Sequence, residues 1–284
     1  MDRGEETPVT IAMSSDLVFV RNQQSNSVRH GPLFSFIRAL KAVNGHLLEY
    51  YPESEELFRV LLIGDNSSGS LTSTIRDNAL EEPITVLSVS EEYLLRELKR
   101  NGTQLYLSTE KSKVQDALGK GITAVHVQIP KPMKEVSETE LRVAFDGDAV
   151  IFSNESELVY SKDGFQAFIE HERKHAEDPM KEGPLTEFLK SLEKLKKKLR
   201  HKDQGNNMIC TYLVTSRSPC CPEYRARNTL QSWGLEMDEA VFLAGAGKGP
   251  TLQRIKPHIF FDDQESHVKA ALAVGRMACQ VFNN

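Results

Sequence analysis

Two rhythms of apolar residues alternate along this chain. Short, nearly unbroken runs occur at Val9–Met13 (VTIAM), Phe58–Ile63 (FRVLLI), Gln104–Leu107 and Ile122–Ile129. They are too short for buried helices and predict strands of a covered sheet. Between them, apolar positions recur three and four apart. Leu33, Phe36, Ile37, Leu40, Val43, Leu47 and Leu48 predict a helix over Pro32–Tyr51, ended by Pro52. Gly64-Asp65-Asn66 stops the strand before it. Ser90 can cap a helix reaching about Lys99, where Asn101-Gly102 breaks it, and Lys111–Gly119 predicts another.

After a polar, proline-containing stretch at 131–140 the pattern restarts. Leu141–Phe152 (LRVAFDGDAVIF) predicts a strand carrying two aspartates. Residues 161–202 read as polar helix with a basic run, Lys190–Lys202, on a solvated face. Strands follow at Thr211–Thr215, Ala240–Ala244, His258–Phe261 and Met277–Phe282. Helices are predicted at Tyr224–Trp233, closed by Gly234, and at 264–274. Strands alternating with helices predict an α/β fold with doubly wound parallel sheets. The expected organisation is an N-terminal α/β region at 1–130, a linker at 131–140 and a second α/β core at 141–284, with a helical insertion at about 153–208.

Composition narrows the function classes. The 284 residues carry 35 Lys plus Arg against 40 Asp plus Glu, a net charge of −5. Such a chain has no global field for nucleic acid, so an anionic substrate must meet local cations or a metal. No apolar run approaches the length of a membrane span, and the first residues, MDRGEETPVT, lack the apolar core of a secretory signal. The four cysteines, Cys210, Cys220, Cys221 and Cys279, form no CxxC pair. Reduced thiols in a cytoplasmic protein are the expectation.

The candidate chemistry gathers at strand ends, where open α/β sheets bind ligands. Asp146-Gly147-Asp148 ends one predicted strand, and Asp262-Asp263 ends another. Carboxylates that close repel one another unless a cation sits between them or their pKa values split. Oxygen ligands of this kind suit Mg²⁺. Each pair, taken alone, also fits a solvated turn or a helix start. Thr215-Ser216-Arg217 follows a third strand, offering hydroxyls to a phosphoryl oxygen, and the loop Gly245–Pro250 brings Lys248 after a fourth. Two Asp pairs, a hydroxyl and a lysine at four strand ends form the parts of a phosphoryl-transfer site.

That order of motifs is similar to the phosphohydrolases of the haloacid dehalogenase superfamily. LRVAFDGDAVIFSNESE, FIEHERKHAEDPMKEGPLTEFL, TYLVTSRS, LQSWGLEMDEAVFLAGAGKGP and PHIFFDDQ resemble the AMP-preferring cytosolic 5′-nucleotidase type I family. The resemblance is strong over 141–282 and weaker over 8–130, where GPLFSFIRALKAVN and LYLSTEKSKVQDALGKGI share the pattern. It implies a three-layer, doubly wound parallel sheet of the haloacid dehalogenase type, with the insertion as a helical cap.

It also implies Mg²⁺-dependent hydrolysis of nucleoside 5′-monophosphates, AMP favoured, through an aspartyl-phosphate. Asp146 would be the nucleophile and Asp148 the general acid, then base. Asp146, Asp262 and the backbone carbonyl of Asp148 would hold the metal, with Asp263 a supporting or alternative ligand. Thr215, Ser216 and Lys248 would hold the phosphoryl oxygens. In the cap, Phe165 or Phe168 would stack on the base, or pack the cap's own core, and His171 would contact base or ribose. Arg217 would either assist substrate binding or pair with a nearby acid. ADP as an effector and a homo-oligomer are the implied partners. A phosphatase or phosphotransferase acting on another phosphoester, or a non-catalytic nucleotide sensor, are the alternatives.

Overall fold

The computed structural model describes residues 6–21, 27–64, 69–202 and 207–283, grouped in two compact units. Asp65, Asn66, part of the 21–30 segment and the first five residues lie outside the described set.

The first unit comprises the chain to Val127 with segments 135–141 and 195–209. Its strands are β1 (Val9–Ser14), β4 (Phe58–Ile63), β5 (Ile84–Leu87), β6 (Leu105–Ser108) and β7 (Ala124–Gln128). They are ordered β7-β6-β1-β4-β5, all parallel. A small antiparallel ribbon, β2 (Phe19–Arg21) with β3 (Val28–His30), follows β1. The helices are α1 (Phe34–Tyr50), α2 (Ser70–Asp77), α3 (Glu91–Arg100) and α4 (Lys111–Gly119). The predicted apolar stripe of α1 is buried, and so is Asn44 beside it. Asn44 is satisfied there by β4: its amide donates to the Phe58 carbonyl at 2.9 Å and accepts from the Phe58 N–H at 2.8 Å. A buried side chain thus docks helix to strand without an orphaned polar group.

The second unit comprises 128–134, 142–194 and 210–284. Its strands are β8 (Leu141–Phe145), β9 (Ile209–Thr215), β10 (Glu239–Phe242), β11 (Ile259–Asp262) and β12 (Ala278–Val281), in the order β10-β9-β8-β11-β12. Helices α5 (Glu155–Lys174) and α6 (Thr186–Arg200) fill the insertion between β8 and β9. They are followed by α7 (Cys221–Ser232), α8 (Gly249–Ile255) and α9 (Glu265–Ala273). Ala144, Val214, Leu252, Phe260, Val268 and Ala278 form one core cluster, so strands and following helices share a single apolar interior. The chain leaves β8 toward β9 and β10, then returns on the other side for β11 and β12. The order therefore reverses between β8 and β11, and a crevice opens beyond their carboxyl ends.

Two expectations change. The strand predicted over Leu141–Phe152 stops at Phe145, and Gly147–Ile151 is a tight turn with Ala149 in the left-handed region at φ 61°. Val150, Ile151 and Phe152 are fully buried all the same, because they pack inside the unit rather than pair in the sheet. A short apolar run has the same appearance in either role. The helix predicted through residues 161–202 is two helices, α5 and α6, and α5 is itself broken at Gly164. The residues of α2, β5 and α8 fall in stretches the apolar rhythm left unassigned.

Candidate active site

Asp146 follows β8 directly, and its N–H donates to the Phe261 carbonyl of β11 at 2.8 Å. That bond fixes the residue at the strand reversal. Asp262 is the last residue of β11 and is fully buried. Between the two lies Lys248, completely buried at the start of α8. Its Nζ is 2.7 Å from Asp146 Oδ1 and 2.6 Å from Asp262 Oδ2. The Asp146 contact lies off the direction of a hydrogen bond, so Oδ1 has charge beside it but no donor aimed at it. Asp262 Oδ1 accepts from the Gln264 N–H at 2.9 Å and meets His267 Nδ1 of α9 at 3.2 Å.

The charges settle unequally. Burial pushes the Asp146 carboxyl up to about 7, opposed by Lys248 and aided by the Asp262 charge. Burial also works against the Asp262 charge, but Lys248 and His267 hold that carboxyl below its usual range. Lys248 is held above the usual ammonium range by the same two carboxylates, against its own burial. Asp263 is pushed up to about 6 by burial and by its neighbour Asp262. Acids driven apart in this way are found where one fold must supply both charged and proton-bearing carboxyls.

A divalent cation fits these residues. Asp146, Asp262 and His267 each offer one donor atom, all within 4.8 Å of one another. Buried Asp146 Oδ1 lacks a hydrogen-bond donor, and two carboxylates with an imidazole make a donor set for a divalent ion. Of the carboxylates expected at the metal, those of Asp146 and Asp262 converge. Asp148, expected there through its backbone carbonyl, has its carboxylate on Arg217, with Oδ1 2.7 Å from Nη2 and Oδ2 2.8 Å from Nε. Asp263 stands behind Asp262, its backbone carbonyl accepting from Gln280 Nε2 at 3.4 Å. His267 was not anticipated. Its signal is one helical turn of spacing after Asp262-Asp263, with a loop and helix start between.

Thr215 ends β9, buried, and its Oγ1 accepts from the Arg217 N–H at 3.3 Å. A Cβ on Gly147 would lie 3.3 Å from that oxygen and equally close to the Phe152 ring, so any larger residue would push on Thr215 or Phe152 where the β8 turn approaches β9. Beside these residues opens a cavity of about 460 Å³. Asp148, Ser216, Arg217 and His267 line its inner part, and Glu157, Tyr160, Phe165 and Phe168 of α5 line its cap side. Phe168 is buried, with its ring centroid 6.4 Å from that of Phe165, which is 57% exposed. Phe168 thus packs the cap, and Phe165 presents a free face. Burial, and then the charge of Asp148, raise the pKa of Glu157.

His171 is not among the cavity's lining residues. It lies 3.4 Å from Arg225 Nη1, and its ring centroid is 4.6 Å from that of His175. Burial and then Arg225 lower its pKa. Of the two roles expected for Arg217, the structure has the pairing with an acid.

A family model described as 5′-nucleotidase matches residues 14–283. Human "Cytosolic 5′-nucleotidase 1B" is 38% identical over 259 residues, an alignment covering 89% of this chain and 42% of the relative. The chain thus spans less than half the length of that curated relative. No helix among the described residues is long and apolar enough to cross a membrane.

Proposed function

The chain belongs to the 5′-nucleotidase family, and on that premise we propose that it hydrolyses nucleoside 5′-monophosphates, AMP foremost, to nucleoside and phosphate. The observation that carries this reading is the buried Asp146 carboxylate at the end of β8, set against Lys248 and Asp262. An Asp146 oxygen attacks phosphorus as the bond to the ribose 5′ oxygen breaks, and Asp148 gives that oxygen its proton. Water then attacks the aspartyl-phosphate. Asp148 takes the water's proton, phosphate leaves and Asp146 is restored.

Thr215, Ser216 and Lys248 hold the phosphoryl oxygens in this reading, and Phe165 offers its exposed face to the base. Asp146 and Asp262 would hold Mg²⁺, with His267 as third donor and Asp263 in support. When bound, the ion supplies positive charge to the phosphoryl group. A cytoplasmic setting and regulation by ADP belong to the same reading. The first rests on the human relative's name, the second on the family resemblance.

The test is phosphate release from a panel of nucleoside 5′-monophosphates and sugar phosphates, with and without Mg²⁺ and with and without ADP. Mg²⁺-dependent release that favours AMP is the expected result. Release from sugar phosphates alone, or from nothing in a folded protein, would overturn the reading.

A further inference from the structure

The Asp148 carboxylate is one end of a buried chain of charges that the chemistry above does not use. Arg217 grips both its oxygens. The same guanidinium, 3% exposed as a residue, turns its remaining edge inward. Nη1 donates to Glu172 Oε2 and, at 3.2 Å, to the Pro222 carbonyl, and Nη2 donates to Ser156 Oγ at 3.0 Å. Glu172 is fully buried on α5. It accepts from Ser156 Oγ at 2.7 Å and from Arg225 Nη1 at 2.9 Å. Arg225 continues to Glu155 Oε1 at 2.6 Å. Signs alternate along the path Asp148, Arg217, Glu172, Arg225, Glu155.

Such a chain is an expensive way to fasten a helix, since apolar packing of the same volume holds at least as well without desolvating charge. What apolar packing cannot do is fix the orientation of a carboxylate. Here the path ends on the one acid of the unit whose carboxylate lines the cavity and is gripped through both oxygens. Of the path's other members, Glu155 and Glu172 come from α5, on either side of its break at Gly164, Arg225 comes from α7, and Arg217 comes from the loop between β9 and α7.

We propose that Arg217 and Glu172 are positioning residues for leaving-group protonation: Glu172 aims Arg217, and Arg217 aims the carboxylate of Asp148. Neither touches the reacting atoms. The inference rests on the nucleotidase reading and adds to it a residue of the cap helix that governs a single proton transfer. Without Glu172, the Arg217 guanidinium keeps only uncharged acceptors, such as Pro222 and Ser156, on its inward edge, and Asp148 is no longer held toward the departing oxygen. A leaving group that needs no proton is then unaffected.

The experiment uses the full chain and two substrates that share base, ribose and phosphate. One is AMP. The other is its analogue with sulfur in place of the bridging 5′ oxygen, whose thiolate departs unprotonated. Nucleoside release is followed in a single turnover, so that later water attack does not enter. For Glu172→Gln, release from AMP is expected to slow about 10- to 100-fold, a part of the roughly 100- to 10,000-fold that a well-placed general acid contributes. Release from the sulfur analogue should stay within about threefold of the parent chain. Equal slowing on both, or no slowing on either, overturns the proposal. If Glu172→Gln does not fold, Ser156→Ala removes the hydroxyl shared by Glu172 and Arg217, and the same selectivity at about 3- to 10-fold is expected. A uniform effect or none in that variant also overturns it. A parent chain that releases nucleoside from neither substrate sinks the nucleotidase reading itself, which separates the two failures.

Discussion

Lys248 shows how much one side chain carries at this site. It is buried with an Asp on either side, at 2.7 and 2.6 Å. Removing one partner from a buried ion pair leaves uncompensated charge, so Lys248→Met is expected to cost about 3–5 kcal/mol of unfolding free energy in chelator. Denaturant unfolding would show it, and a loss under about 1 kcal/mol would mean that the site is wetter than its burial indicates. Phe165 is the opposite case, with little packing to lose. Stacking on a base is worth about 1–3 kcal/mol, so Phe165→Ala should raise KM for AMP about tenfold and leave KM for a small aryl phosphate unchanged. Equal effects on both esters would make it a packing residue. Asp146, Thr215, Lys248 and Asp262 were legible in the sequence because each follows a recognisable strand, and strand ends converge in this class of fold. His267 and the Arg217 partners were not. Their roles come from contacts across loops and between helices, which no local spacing encodes.

Helix α5 is the element that sequence reading resolved least. Its composition is helical throughout, yet Gly164 stands at φ 82° and ψ −177°, a conformation only glycine adopts without strain. The sequence shows a glycine in a helical stretch, a sign of weakness but not of a break. The break sets Glu155, Glu157 and Tyr160 on one segment, and Phe165, Phe168 and Glu172 on the other. No atom lies within 4 Å of where a Gly164 Cβ would stand, so the cost of Gly164→Ala is backbone strain alone, about 1–3 kcal/mol. Thermal unfolding would register that as a lower Tm. An unchanged or higher Tm would show α5 running straight through this position. The turn Gly147–Ile151 and helix α8 escaped notice for related reasons. The turn runs into residues as apolar as a strand's, and α8 begins in a Gly-Pro segment, where a glycine-rich ligand loop and a proline at a helix start have the same appearance.

At the scale of the molecule, alternation of strand and helix was enough to show an α/β fold, but not which strands are neighbours, because a buried strand carries no record of its partner. Nor did it show how segments divide between units. Residues 128–134 fall in one and 135–141 in the other, a division made by contacts in space within a stretch the sequence marks only as polar linker. Charge is the property of the whole chain with the clearest consequence. The net charge is −5, and Asp148 and Glu157 line the very cavity a phosphate would enter, above Asp146 and Asp262. The cations facing them, Lys248 and Arg217, are already engaged by carboxylates. The field of this site therefore opposes a dianion until a divalent ion adds charge to it. In chelator, AMP is expected to bind at least about 100-fold more weakly than with excess Mg²⁺, a difference of about 2.7 kcal/mol that calorimetric titration would read with the phosphonate analogue of AMP, whose bridging methylene cannot be hydrolysed. Mg²⁺ alone should raise Tm, since an ion that binds only the folded chain stabilises it by about the same amount at 100 times its Kd. Equal AMP affinity in chelator and in Mg²⁺ would show that Lys248 and the hydroxyls of Thr215 and Ser216 overcome the acidic field by themselves, and the metal would then have to be sought in the chemical step rather than in binding.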